Sequence, residues 1–163
     1  MGKLGNIRVI VTGAEHSGTR FVWGLLSVHP DLKPFHVSIP SEGKLKPLSD
    51  ADIVVYVVRD KTCTLRSQEQ GNSVKEEHLI QCNAKDSVEM ADNYFYGEME
   101  KTNKPYILIS YETLLRHKSA YLRQIFRSMG ISEDYDYDFE GWVDVGYGDI
   151  STTPVDGNKK YIT

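Results

Sequence analysis

The sequence predicts an α/β domain with a parallel sheet flanked by helices. Apolar runs at 7–12, 53–58 and 106–109 alternate with stretches of helical apolar spacing at 19–28 and 111–129. The middle run, Ile53-Val54-Val55-Tyr56-Val57-Val58, is apolar at six consecutive positions, as in a strand covered on both faces. Strands that alternate with helices in this way build parallel sheets. With 163 residues, the chain fits one domain, 1–163, large enough to bury a core without staples.

Taken in order, Ile7-Arg8-Val9-Ile10-Val11-Thr12 is short and β-branched, and reads as a strand. Gly13 to Gly18 reads as a loop, and Thr19 to Val28 as a helix with Phe21, Val22, Leu25 and Leu26 on one side. Pro30 disfavours helical geometry at His29 and ends it. Phe35 to Ile39 alternates as a second strand, and residues 40–50, with Pro40, Gly43 and Pro47, read as loop. Asp60 to Gln70 follows the apolar strand as a helix. Residues 73–103 predict one or two surface helices. Tyr106 to Ile109 is a further strand, and Tyr111 to Met129 a helix stopped by Gly130.

The net charge of -4 and pI near 5.7 argue against a general nucleic-acid binder, which needs a basic surface. Two cysteines, Cys63 and Cys82, are too few for a disulfide framework and match no zinc spacing. They read as free thiols of a reducing compartment. The opening residues carry no apolar signal region, and no stretch reaches the roughly 20 apolar residues of a membrane span. A cytoplasmic protein without membrane partners is expected.

The chemistry concentrates at Gly13-Ala14-Glu15-His16-Ser17-Gly18-Thr19-Arg20. This stretch has the G-x-x-x-x-G frame of a phosphate-binding loop, with Thr19-Arg20 in place of the usual Lys-Ser/Thr pair. Successive N–H groups from Ser17 to Arg20 open a helix without intrahelical acceptors and carry the positive end of its dipole. Gly13 and Gly18 let the backbone curl around an anion. Thr19 adds a hydroxyl and Arg20 a fixed charge. The plain alternative is a tight strand-to-helix turn capped by Ser17.

His16-Ser17-Gly18-Thr19-Arg20-Phe21 resembles the 5′-phosphosulfate loop of the sulfotransferases that use 3′-phosphoadenosine-5′-phosphosulfate (PAPS). In that family a strand-end Arg and a Ser eight residues later bind the 3′ phosphate, and Arg59 and Ser67 have that spacing. Two helical turns bring Ser67 back toward Arg59, so a guanidinium fork and a hydroxyl can meet one phosphate. Tyr111-Glu112-Thr113-Leu114 resembles the structural Tyr-Glu-Asp-Leu segment after a core strand. The resemblance spans roughly residues 7–130 and rests on these three patches.

The resemblance implies a P-loop nucleoside triphosphate hydrolase-like fold of the sulfotransferase type. It implies sulfuryl transfer from PAPS to a hydroxyl or amine acceptor, leaving 3′,5′-ADP, with no metal. It assigns His16, Ser17, Gly18, Thr19 and Arg20 to the phosphosulfate, Arg59 and Ser67 to the 3′ phosphate, and Phe21 to adenine. The chain departs from the family in three ways. His16 replaces the loop's Lys or Arg, although a bound dianion favours its protonated form. The span between the two phosphate motifs is short and leaves the acceptor open. The C-terminal Arg-Lys-Gly clamp is missing, with Lys159 and Lys160 as replacements.

The family's catalytic base, a His or Glu, lies between the two motifs. His36 is the first candidate and Glu42 the second, with a strand histidine on an exposed face as the plain alternative. His16 joins the catalytic set through the leaving phosphate. The acidic, aromatic stretch 133–149 reads as a solvated loop or a partner surface. Two rival functions stand beside the first. One is a P-loop kinase with Asp60 as magnesium-linked carboxylate. The other is a nucleotide-binding module without catalysis.

Overall fold

The computed structural model describes residues 6–69 and 74–134. Four strands, β1 (Ile7–Ala14), β2 (Leu32–Ile39), β3 (Ile53–Val58) and β4 (Tyr106–Ser110), form one all-parallel sheet in the order β2-β1-β3-β4. Five helices connect or follow them: α1 (Thr19–Ser27), α2 (Lys61–Gln68), α3 (Glu76–Gln81), α4 (Ser87–Thr102) and α5 (Tyr111–Ser128). The predicted α/β class with a parallel sheet flanked by helices is what the chain adopts.

The two faces follow from strand alternation. Val9, Val11, Val55, Val57 and Ile109 point to one side, where α1 and α5 cover them with Phe21, Leu25, Leu114, Leu122 and Phe126. Ile10, Val54 and Tyr56 point to the other side and meet Met90, Phe95 and Met99 of α4. The connection from β2 to β3 has no helix. Leu48 and Ala51 pack from it into this second core. β3 is central, and Val54 to Val57 are all buried. That accounts for its unbroken apolar run, since each such side chain contributes about 1.5–3 kcal/mol when fully buried.

β2 begins at Leu32, three residues before the predicted start, and carries Pro34 inside it. Among the described residues β2 pairs only with β1. An edge strand tolerates a proline whose missing N–H would face outward. Residues 73–103 hold two helices, a short α3 and a long α4.

The strand order matters for the site. The chain leaves β1 toward β2 on one side and leaves β3 toward β4 on the other. The winding therefore reverses between β1 and β3. The connections after these adjacent strands run to opposite faces and open a crevice at the strands' carboxyl ends. The loop 15–18 and the Arg59–Asp60 corner flank that crevice. No helix among the described residues is long and apolar enough to cross a membrane.

Candidate functional site

The β1–α1 corner is shaped by close approach. A Cβ on Gly13 would sit 2.7 Å from Ser17 Oγ and 2.8 Å from the Val57 carbonyl oxygen, so only glycine fits. Gly18, the N-cap of α1, has φ 92° and faces the Tyr111 ring, which any side chain there would strike. His16 between them is left-handed as well, with φ 64°, an uncommon state for a side-chain-bearing residue.

The start of α1 carries no capping side chain and no acidic residue in its first turn. Ser17 is not the cap expected under the plain turn reading. Its hydroxyl is buried in the curl of the loop and has no hydrogen-bond partner among the described residues. Its N–H donates to the Ala14 carbonyl at 3.1 Å, so it leaves the predicted set of anion donors. Gly18, Thr19 and Arg20 remain at the helix start, where the dipole favours negative charge.

A polar cleft of about 140 Å³ opens over this corner, lined by Glu15, His16, Thr19, Arg20, His36 and Ser38. His36 and Ser38 alternate along β2, opposite Val11 and Gly13 of β1, and so share the face that α1 covers. His36 Nε2 lies 2.8 Å from Thr19 Oγ1, in hydrogen-bond contact with the loop's own hydroxyl. Burial holds the His36 imidazole down to about 4, and the Arg20 charge acts in the same direction. The His16 imidazole is also lowered, chiefly by burial, with Arg59 and Arg20 adding to that. Glu15 and the Ser67 contact oppose it. Both shifts favour the neutral ring, and a nearby anion would act in the opposite direction.

Arg59 and Ser67 both reach His16. Arg59 Nη1 donates to the His16 carbonyl at 3.1 Å, and Ser67 Oγ lies 2.8 Å from His16 Nδ1. The Arg59 guanidinium sits over the Tyr111 ring, 4.8 Å from its centroid, and is 6% exposed. The two motifs, 43 to 51 residues apart, form one cluster.

Two assignments need correction. Phe21 is fully buried, with its ring edge-on to Tyr111 in the core under the sheet. The helical spacing that makes it apolar turns it inward, so it presents no surface to adenine. Glu42 stands on an exposed turn closed by the Ser41–Lys44 bridge, and its carboxylate pairs with Lys46 at 3.1 Å. It does not line the cleft. Asp60 caps α2, accepting from the Cys63 N–H at 2.9 Å. Lys159, Lys160 and the stretch from 135 onward lie outside the described residues.

Three participants were missed from the sequence. Ser38 joins the cleft, a position two-residue alternation from His36 marks. Glu15 lines it from inside the glycine frame. Gln68 holds the loop from α2, and only its adjacency to Ser67 pointed there. Among the described residues no group of three His, Cys, Asp or Glu side chains stands together as a metal-ligand set.

No family model, no curated protein and no solved structure matches the chain.

Proposed function

We propose that the chain is a PAPS-dependent sulfotransferase with a P-loop-type phosphate site at the start of α1, moving a sulfuryl group to a hydroxyl or amine acceptor. The observation that carries this reading is the uncapped N-terminus of α1, with the buried, unsatisfied Ser17 hydroxyl beside it, under a cleft that also holds His16, Arg20 and His36. A buried hydroxyl without a partner is costly in the free protein, and an oxyanion in the curl of the loop relieves it. The cleft's size suits an oxyanion group rather than a whole nucleotide.

In this reading the N–H groups of Gly18, Thr19 and Arg20, the Thr19 hydroxyl and the Arg20 guanidinium hold the phosphosulfate. PAPS supplies a sulfur whose bond to the phosphate oxygen breaks as the acceptor oxygen or nitrogen attacks in line. His36, beside Thr19 and with its imidazole shifted toward the neutral form, is the base that takes the acceptor's proton in this reading. His16, protonated by the bound anion, stabilises charge on the departing phosphate. Arg59 and Ser67 are the 3′-phosphate pair. Their contacts with His16 mean that binding at one anion subsite is felt at the other. The kinase reading is weaker, because the Asp60 carboxylate is engaged by the α2 backbone.

Thermal unfolding with nucleotides tests the proposal. Stabilisation grows as RT ln(1 + [L]/Kd). The expected result is a larger rise in Tm with 3′,5′-ADP than with 5′-AMP at equal concentration. Equal shifts remove the 3′-phosphate site. A larger shift with ATP and magnesium than with 3′,5′-ADP replaces the sulfotransferase by a kinase. Binding without sulfate transfer over a broad acceptor panel leaves a non-catalytic nucleotide module.

A further inference from the structure

Gln68, the last residue of α2, is buried and spends both ends of its amide. Its Nε2 donates to the Glu15 carbonyl at 2.7 Å, and its Oε1 accepts from the Ser87 hydroxyl at the start of α4. The amide is thus fixed in orientation between the loop on one side and the second layer of helices on the other. α4 is itself tied to the start of α2 through Lys61 and Asp86, 2.6 Å apart.

The Glu15–His16 peptide is a trans plane, in which the carbonyl and the N–H point in opposite directions. Holding the Glu15 oxygen toward α2 therefore turns the His16 N–H away from α2. The next carbonyl, of His16, is held by Arg59, and the His16 ring by Ser67. These bonds over-determine a residue whose left-handed φ of 64° is otherwise unfavourable. Successive N–H groups around a left-handed residue form an anion-binding concavity.

We infer that Gln68 is a positioning residue of the anion loop: by anchoring the Glu15 carbonyl it keeps the His16 N–H turned away from α2 as a further donor beside those of Gly18, Thr19 and Arg20, and keeps the Glu15–His16 peptide from flipping. This rests on the phosphate-site reading above. A flipped peptide replaces that donor by an acceptor, so the effect falls on anion affinity as well as on stability.

Inorganic pyrophosphate is the probe, its binding to the full chain followed by calorimetry. Gln68→Ala is expected to weaken binding about tenfold to a hundredfold, the scale of one hydrogen bond to a charged group. Lys61→Ala is the control, because it loosens the same α2–α4 contact without touching the loop. It is expected to change affinity less than twofold. Gln68→Glu separates aiming from packing. Protonated, it can still donate to Glu15 and accept from Ser87. Ionised, it cannot donate, and a buried carboxyl titrates above its ordinary range. Relative to wild type at each pH, its affinity is expected to be near normal at pH 5 and to fall at least fivefold by pH 8. Wild-type affinity in Gln68→Ala overturns the inference and leaves the phosphate site standing. So does an equal loss in Lys61→Ala, or a Gln68→Glu defect that does not change with pH. A wild-type chain that binds no pyrophosphate fails the phosphate-site reading itself.

Discussion

The β1–α1 and β4–α5 corners begin alike and finish differently. In each, a parallel strand leads into a helix at the carboxyl edge of the sheet, through the loop 15–18 at β1–α1 and directly at β4–α5. At β4–α5, Ser110 is the N-cap, and its hydroxyl accepts the Thr113 N–H at 3.2 Å. The α2 and α4 helices are closed the same way by Asp60 and Asp86. At β1–α1 the cap is a left-handed glycine, the neighbouring Ser17 hydroxyl is buried without a partner among the described residues, and the first turn holds no acidic residue. The fold satisfies the starts of α2, α4 and α5 with a single serine or aspartate, while α3, also without a side-chain cap, carries Glu76 and Glu77 in its first turn. An α1 start left open, with a hydroxyl buried beside it, is the arrangement the proposed anion site rests on.

The largest way to break this contrast is at Gly18. Gly18→Ala drives a methyl group into the Tyr111 ring at a left-handed φ, and is expected to cost about 2–4 kcal/mol in denaturant unfolding. Gly43→Ala, at φ 71° but in open space, isolates the backbone strain alone, about 1 kcal/mol. Similar losses in the two variants would mean that the Tyr111 contact does not define the corner.

A second, smaller effect is set by pH. His36 is held down to about 4 in the folded chain, chiefly by burial and then by Arg20, against an ordinary 6.5. Protons bind the unfolded chain more readily in that interval. Stability from this group is therefore complete above pH 6.5 and is lost as pH falls toward 4. His16, lowered mainly by burial, contributes in the same direction. His36→Gln should flatten the stability profile between pH 6.5 and 4 while leaving pH 8 nearly unchanged. Saturating 3′,5′-ADP should flatten it too, because bound anion restores the protonated forms. A His36→Gln profile that parallels wild type would place that ring in solvent and undo its role in the cleft.

The sheet was legible because its cause is local. Six apolar residues at 53–58 have one cheap solution, a strand covered on both sides, and the helical spacing of Phe21, Val22, Leu25 and Leu26 has one cheap partner, that sheet. The glycine frame was legible because Gly13 and Gly18 sit where no Cβ fits. The rest depended on distances the sequence does not carry. Phe21 reads equally as a core residue or an adenine contact until the helix is rotated against β1. Glu42 looks close to His36 until the turn at 41–44 carries it into solvent. Gln68 is an ordinary polar residue until its 53-residue separation from Glu15 closes to a hydrogen bond. The start of β2 at Leu32 was hidden by Pro34, which only an edge position permits.

The finest test compares the two serines directly. Ser110→Ala removes a working cap from α5 and should cost about 0.5–2 kcal/mol, the usual range for a serine cap. Ser17→Ala removes a buried hydroxyl that bonds nothing among the described residues, so no hydrogen bond is lost. Relief of the unsatisfied group should leave stability unchanged or raise it by up to about 1 kcal/mol. Pyrophosphate affinity should move the other way: unchanged in Ser110→Ala, where the helix start is not part of the cleft, and lowered in Ser17→Ala if the proposed anion is what satisfies that hydroxyl. The opposite signs of the two readouts are what an open site requires. A Ser17→Ala chain that loses stability as Ser110→Ala does, with no change in anion affinity, would make Ser17 an ordinary structural serine and α1 a helix whose start the protein satisfies by itself.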